Sequence, residues 1–241
     1  MRVKADFNKF KFLFKLGFNM KKDPSDYFLL KFTPQGVILS DVWRDVLATF
    51  GLFNPSFFDE YQVGQEEVVP ITVNFQKMSG YLRGLSGTMR TENGKLVMES
   101  GNEKYTETLT SAEWRDFPLE LDFGEYIKLR KMDPSVIAKI TADELKSLPS
   151  LPYIRFESTD SDLTVKVIPS LDSQLGIFES KPKAQFLKVS PVSTLLNNEY
   201  FETMIDPLTG PVHLLLDQIG IAISQVTKDY ALCLVLAGIK L

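Results

Sequence analysis

Lys11, Lys15 and Lys22 fall with Asn8 and Asn19 in one narrow stripe when the residues from Asp6 to about Met20 are wound at roughly 100° per residue. No carboxylate interrupts the stripe, so its chemistry is that of a row of cations, able to face water or a phosphate backbone. Solvation is the ordinary role of a polar helix face, and the residues alone leave both roles open. Lys77 and Arg83 belong to a helix predicted over 74–85, and Lys146 to one over 142–148. Lys77 and Arg83 are too far apart to share one helical face.

Covalent chemistry has no comparable footing. His213, the single histidine, stands alone in an apolar strand pattern and reads as a packed residue. Cys233 lies in ALCLVLAG, the setting of a buried structural thiol, and a lone cysteine excludes an intramolecular disulfide or a multi-cysteine zinc site. Glu66-Glu67 and Asp160 to Asp162 read as turns and solvated edges, without partners at metal-ligand spacing. A G-x-x-x-x-G-K-[ST] phosphate loop is absent, so any nucleotide-driven step belongs to another protein. The expectation is no enzyme, no metal and no cofactor.

The chain has 241 residues, 44% hydrophobic and 24% charged, enough for one large domain or two of about 120 residues. A net charge of −4 argues against coating nucleic acid over the whole surface, so polyanion contact must use a local patch. The start MRVKADFNKF is charged from its second residue and no apolar run approaches about 18 residues, so neither a signal peptide nor a membrane span is indicated. A soluble protein of a reducing, intracellular compartment is expected.

The lysine stripe needs a helix, and Phe7, Phe10, Phe14 and Phe18 supply its buried face, widened by Phe12, Leu13 and Leu16. Strands are predicted over 26–32, 36–40, 43–50, 61–63 and 68–73. In the helix over 74–85, Phe75, Met78, Tyr81, Leu82 and Leu85 are expected to be buried. Strands over 95–99 and 104–109 follow, and 119–134 reads as a linker. Strands over 137–141, 153–157, 163–168, 212–217, 220–225 and 230–236, with helices over 142–148 and 198–206, complete the chain. The order of the second half echoes the first. Two similar α+β domains of antiparallel sheet, 1–118 and 135–241, joined by a connector at 119–134, are the structural expectation.

From Tyr27 to Leu85 a strand, a Gly-Val turn into the next strand, the element FFDEY, a further strand and a helix ending in YLRGLS resemble the first domain of PCNA-type DNA sliding clamps. FPLELDFGEYIKLRKMDP stands where that family has its interdomain connector. Pro211 fits a family proline, and the tail VLAGIKL is similar to the family's L-A-P-[KR]-[IL]. Together the resemblance spans nearly the whole chain.

The resemblance implies a closed ring of three two-domain subunits joined head to tail through their edge strands, with helices lining a central hole. Such a ring encircles duplex DNA without reading its sequence and acts as a processivity factor. Its partners are DNA polymerase, a separate clamp loader and other replication and repair clients. The resemblance puts Lys11, Lys15 and Lys22 on the inner wall, with Lys77, Arg83 and Lys146 as further phosphate contacts. It assigns Val42, Val46, Tyr126, Ile127, Leu129, Pro211, Leu236, Ala237 and Gly238 to a pocket for short client peptides.

Two departures stand out. Gly238 replaces the family's proline in the tail. No Lys or Arg occurs between Lys188 and Lys228, while Glu199, Glu202 and Asp206 sit on the last predicted helix. That charge pattern opens the alternative of a subunit that works only in a heterotrimer with paralogues. Outside the family, the alternatives are a β-rich two-domain binding protein or a metal-dependent hydrolase, the latter needing a concave polar site that the sequence does not display.

Overall fold

In the computed structural model, which describes residues 1–17, 23–24, 26–44, 46–114, 133–172 and 175–239 and the backbone of 121–123 and 127–129, each helix grows directly out of a strand. Alternation in β1 (Arg2–Asp6) buries Val3 and Ala5, and the strand runs straight into α1 (Phe7–Gly17). Asp6 Oδ1 accepts the Asn8 N–H at 2.6 Å, which caps the helix. Phe10, Leu13, Phe14 and Leu16 recur at spacings of three and four and are buried.

The first unit continues through β2 (Tyr27–Thr33), β3 (Gly36–Trp43), β4 (Leu47–Phe53), β5 (Glu60–Gln62), β6 (Glu67–Thr72), α2 (Val73–Ser79), β7 (Ser86–Glu92), β8 (Lys95–Ser100) and β9 (Glu103–Thr108). Its strands run in the orders β5-β1-β7-β8-β9 and β4-β3-β2-β6. The second holds a hairpin of β10 (Leu121–Phe123) and β11 (Ile127–Leu129), then β12 (Val136–Thr141), α3 (Ala142–Lys146), β13 (Tyr153–Ser158), β14 (Leu163–Ile168), β15 (Phe178–Ser180), β16 (Gln185–Lys188), β17 (Val192–Asn197), α4 (Asn198–Ile205), β18 (Pro211–Asp217), β19 (Gly220–Val226) and β20 (Tyr230–Ala237). Its orders are β16-β12-β18-β19-β20 and β15-β14-β13-β17. From β12 onward, the second unit repeats the first strand for strand and helix for helix, and the pairings with resolved register are antiparallel.

Residues 1–41, 49–117 and 227–231 pack together as the first unit, and 42–48, 118–226 and 232–241 as the second. Aromatic rings fill the first core: Phe14 stacks on Phe10 at 6.0 Å and meets the Phe75 ring edge-on at 6.3 Å. In the second, Phe156 packs against Phe201 at 5.3 Å. Capping by the last strand residue also recurs, with Thr72, Thr141 and Asn197 accepting N–H bonds from Phe75, Glu144 and Tyr200.

Several expectations are corrected. Helix α2 stops at Ser79, and Tyr81 and Leu85, expected in the core, are 77% and 88% exposed. The helix ends on Gly80 as its C-cap, and Gly84, at φ +140° where a Cβ would run into Ser100 Oγ, keeps the chain from resuming helix before Leu85. Strands β1, β7, β15, β16 and β17 add to the expected set, and the expected linker carries β10 and β11. Trp43 ends β3 instead of opening the next strand. Phe18, Asn19 and Lys22 lie outside the described residues. Among the described residues, no helix is long and apolar enough to cross a membrane.

Candidate nucleic-acid interface

Buried phenylalanines on α1 turn Lys11 and Lys15, four residues apart, out into solvent, and the short α2 presents Lys77 in the same way. All three lysines line one groove of about 540 Å³ between α1 and α2, with Phe7, Gln76 and Tyr81. No carboxylate lines it among the described residues. Like charges at this spacing repel along α1, so the arrangement costs stability unless an anion occupies the groove. The helix C-terminus offsets part of that cost at Lys15, which stands in the last turn.

Arg83 does not share a helix with Lys77. It lies in the loop after α2, its N–H donating to Glu103 at 2.5 Å and its carbonyl accepting from the Ser100 hydroxyl at 2.7 Å, while its side chain is exposed. Lys22 falls outside the described residues.

The corresponding groove of the second unit, about 480 Å³ between α3 and α4, is different in charge. Lys146 lines it, but its Nζ donates to the carbonyls of Asp206 at 2.8 Å and Leu208 at 2.5 Å. These are groups left open at the end of α4, so Lys146 acts first as a C-terminal cap. Glu202 and Asp206 line the same groove, Glu202 accepting from Asn198 at 2.9 Å and Ser150 at 3.1 Å. Of these two inter-helix grooves, the first unit's is therefore the cationic one.

Of the residues assigned to a client pocket, the structure brings Val46, Ala237 and Gly238 together. The Val46 carbonyl accepts the Ala237 N–H at 2.8 Å, while Val42, near the end of β3, is 48% exposed. The Gly238 N–H donates to the Ile219 carbonyl at 2.8 Å. Ile219, 67% exposed, thus joins the surface although its D-Q-I-G context reads as a turn. Leu236 is fully buried and belongs to the core. Pro211 opens β18, whereas Gly220 pairs with Asp217 at its other end, so Pro211 stands about 20 Å of strand from the tail. It lines a separate hollow with Lys139, Lys183 and Gln185. The β11 backbone runs beside β19. Tyr126 and the side chains of Ile127 and Leu129 lie outside the described residues.

His213 is partly buried in β18, opposite Lys139 and Ser224. Cys233 is buried, which pushes its thiol pKa up to about 12. Among the described residues, no group of three or more His, Cys, Asp or Glu could hold a metal.

No family model and no curated protein matches the sequence. Solved structures match it along its whole length. The PCNA2–PCNA3 complex from Sulfolobus tokodaii superposes with a TM-score of 0.76 at 17% identity, covering 99% of each chain. PCNA from Entamoeba histolytica gives 0.75 at 13% identity over 99% of this chain and 98% of that one. A. fulgidus PCNA bound to the C-terminal region of FEN-1 gives 0.75 at 11% identity, over 100% and 98%. The chain has the PCNA fold.

Proposed function

We propose that this chain is a subunit of a DNA sliding clamp, a ring that encircles duplex DNA and tethers polymerase and other replication and repair enzymes without catalysis of its own. The observation that carries it is the convergence of Lys11, Lys15 and Lys77 on one groove that no described carboxylate lines, on a fold shared with PCNA. Phosphate contacts of this kind give affinity without sequence preference, which lets a ring slide.

Ring assembly draws support from strand edges. β9 ends one run of strands in the first unit and β15 ends one in the second. Exposed apolar side chains accompany both: Tyr81 and Leu85 in the loop that Arg83 ties to β9, and Leu175, Ile177 and Phe178 at β15. Two different edges on one chain suit a head-to-tail contact that closes into a ring. Val42, Val46, Ile219, Ala237 and Gly238 form the client surface in this reading, and the resemblance adds Tyr126, Ile127 and Leu129 of the connector. Client binding is supported by the FEN-1 segment seen on a protein of the same fold. A ring mixed with paralogues is the second reading. It is favoured by the carboxylates of the α3–α4 groove.

Light scattering tests the assembly. A homotrimer of the 27.3 kDa chain weighs about 82 kDa, and Phe178→Asp should return it to the single-chain mass. A wild-type chain monomeric at every concentration and with co-expressed paralogues would remove the ring.

A further inference from the structure

The turn that follows β3 carries one described cation beside apolar side chains. Its base is fixed by the Val46 N–H, which donates to the Trp43 carbonyl at 3.0 Å, and the Val46 carbonyl in turn holds the Ala237 N–H of the tail. Arg44 stands exposed on this turn, two residues from the exposed Val42 and two from Val46. Its guanidinium lies 4.7 Å from the Trp43 ring centroid, and the Trp43 ring meets Tyr200 edge-on at 5.3 Å, so the indole that holds the cation is itself braced. A guanidinium lying on an indole keeps its in-plane N–H donors directed outward, in the fork that fits both oxygens of one carboxylate. Among the described residues, no carboxylate forms an ion pair with it. The backbone at Arg44 is left-handed, φ 48°, a conformation that strains a residue with a Cβ and leaves glycine unstrained.

We propose that Arg44 is a specificity-determining contact of the client surface, taking an Asp or Glu side chain of the client peptide while Val42 and Val46 meet its apolar residues. This rests on the client-surface reading and deepens it, from an apolar patch to one that selects acidic clients. What surrounds Arg44 decides between a peptide and DNA. No second Lys or Arg occurs on the turn, on α4 or on β20. Duplex binding gathers several cations along a phosphate backbone, as the α1–α2 groove does, and an exposed valine finds no apolar match on a phosphodiester. A lone guanidinium at the rim of an apolar patch suits a single carboxylate within an otherwise apolar segment.

The test is a set of fluorescein-labelled peptides built on the C-terminal region of FEN-1, the segment seen on A. fulgidus PCNA, with each residue in turn replaced by Asp and by Asn, and binding read by anisotropy. Asp and Asn are nearly equal in size, so the ratio of their affinities reports the charge. At one position, or at two neighbouring ones, the wild-type chain should bind the Asp peptide about fivefold more tightly than the Asn peptide. Arg44→Gln should bring that ratio to about one while leaving the affinity for the Asn peptide little changed. Arg44→Gly should do the same with a melting temperature equal to wild type or higher, since glycine takes left-handed backbone without strain. An undiminished ratio in these variants, or no position with a preference for Asp, overturns the proposal and leaves the client surface standing as an apolar one. A duplex-binding salt slope lowered by Arg44→Gln also overturns it, assigning the cation to DNA. If the wild-type chain binds no peptide of the set, the client surface itself falls and the proposal with it.

Discussion

The α1–α2 groove and the α3–α4 groove are built by the same order of strands, with helices capped by the same device, yet they carry opposite charge. In the first, three lysines project from helix faces into a groove that no described carboxylate lines. In the second, the one lysine in the groove closes the end of α4, and the carboxylates Glu202 and Asp206 are left. A repeated fold can thus keep its topology while one copy commits its cation to structure. Position on the fold does not by itself assign a DNA contact; what each Nζ touches does.

Charge reversal breaks this contrast with the largest effect. Lys11→Glu, Lys15→Glu and Lys77→Glu combined should weaken duplex binding at low salt on the order of a hundredfold and cut the salt slope by about 0.9 for each phosphate released, measured by anisotropy. Melting should fall only slightly, because the three side chains are exposed, two carboxylates at this spacing repel as two lysines do, and the helix end disfavours a negative charge at position 15 by less than about 1 kcal/mol.

The opposite pattern is expected of Lys146→Met. The salt slope should stay at the wild-type value while thermal unfolding reports a loss of about 1 kcal/mol, from two carbonyls deprived of their donor. A slope that fell without loss of stability would return Lys146 to the DNA face and erase the difference between the grooves.

Much of this is legible in the sequence, and the failures have causes. The lysine stripe and the phenylalanine face of α1 can be read because helical periodicity survives over three turns. Periodicity overextends α2 because Met78, Tyr81 and Leu85 continue the helical spacing past Gly80 and Gly84, and spacing does not register a left-handed glycine. Strand β7, SGTMRTE, buries only Gly87 and Met89, too sparse a pattern to stand out beside its neighbours. Lys146 looks like Lys77 in sequence, since no local signal reveals that carbonyls some 60 residues away in the chain will claim it. Pro211 shows the same limit: its distance from the tail depends on strand register, which one sequence leaves open.

The most direct test of the central claim is retention on nicked circular duplex DNA compared with the same molecule linearised, followed by gel filtration in moderate salt. A ring threaded by DNA should co-elute with the circle and be lost once the DNA has ends. Equal retention on circular and linear DNA would show simple surface binding and contradict the clamp.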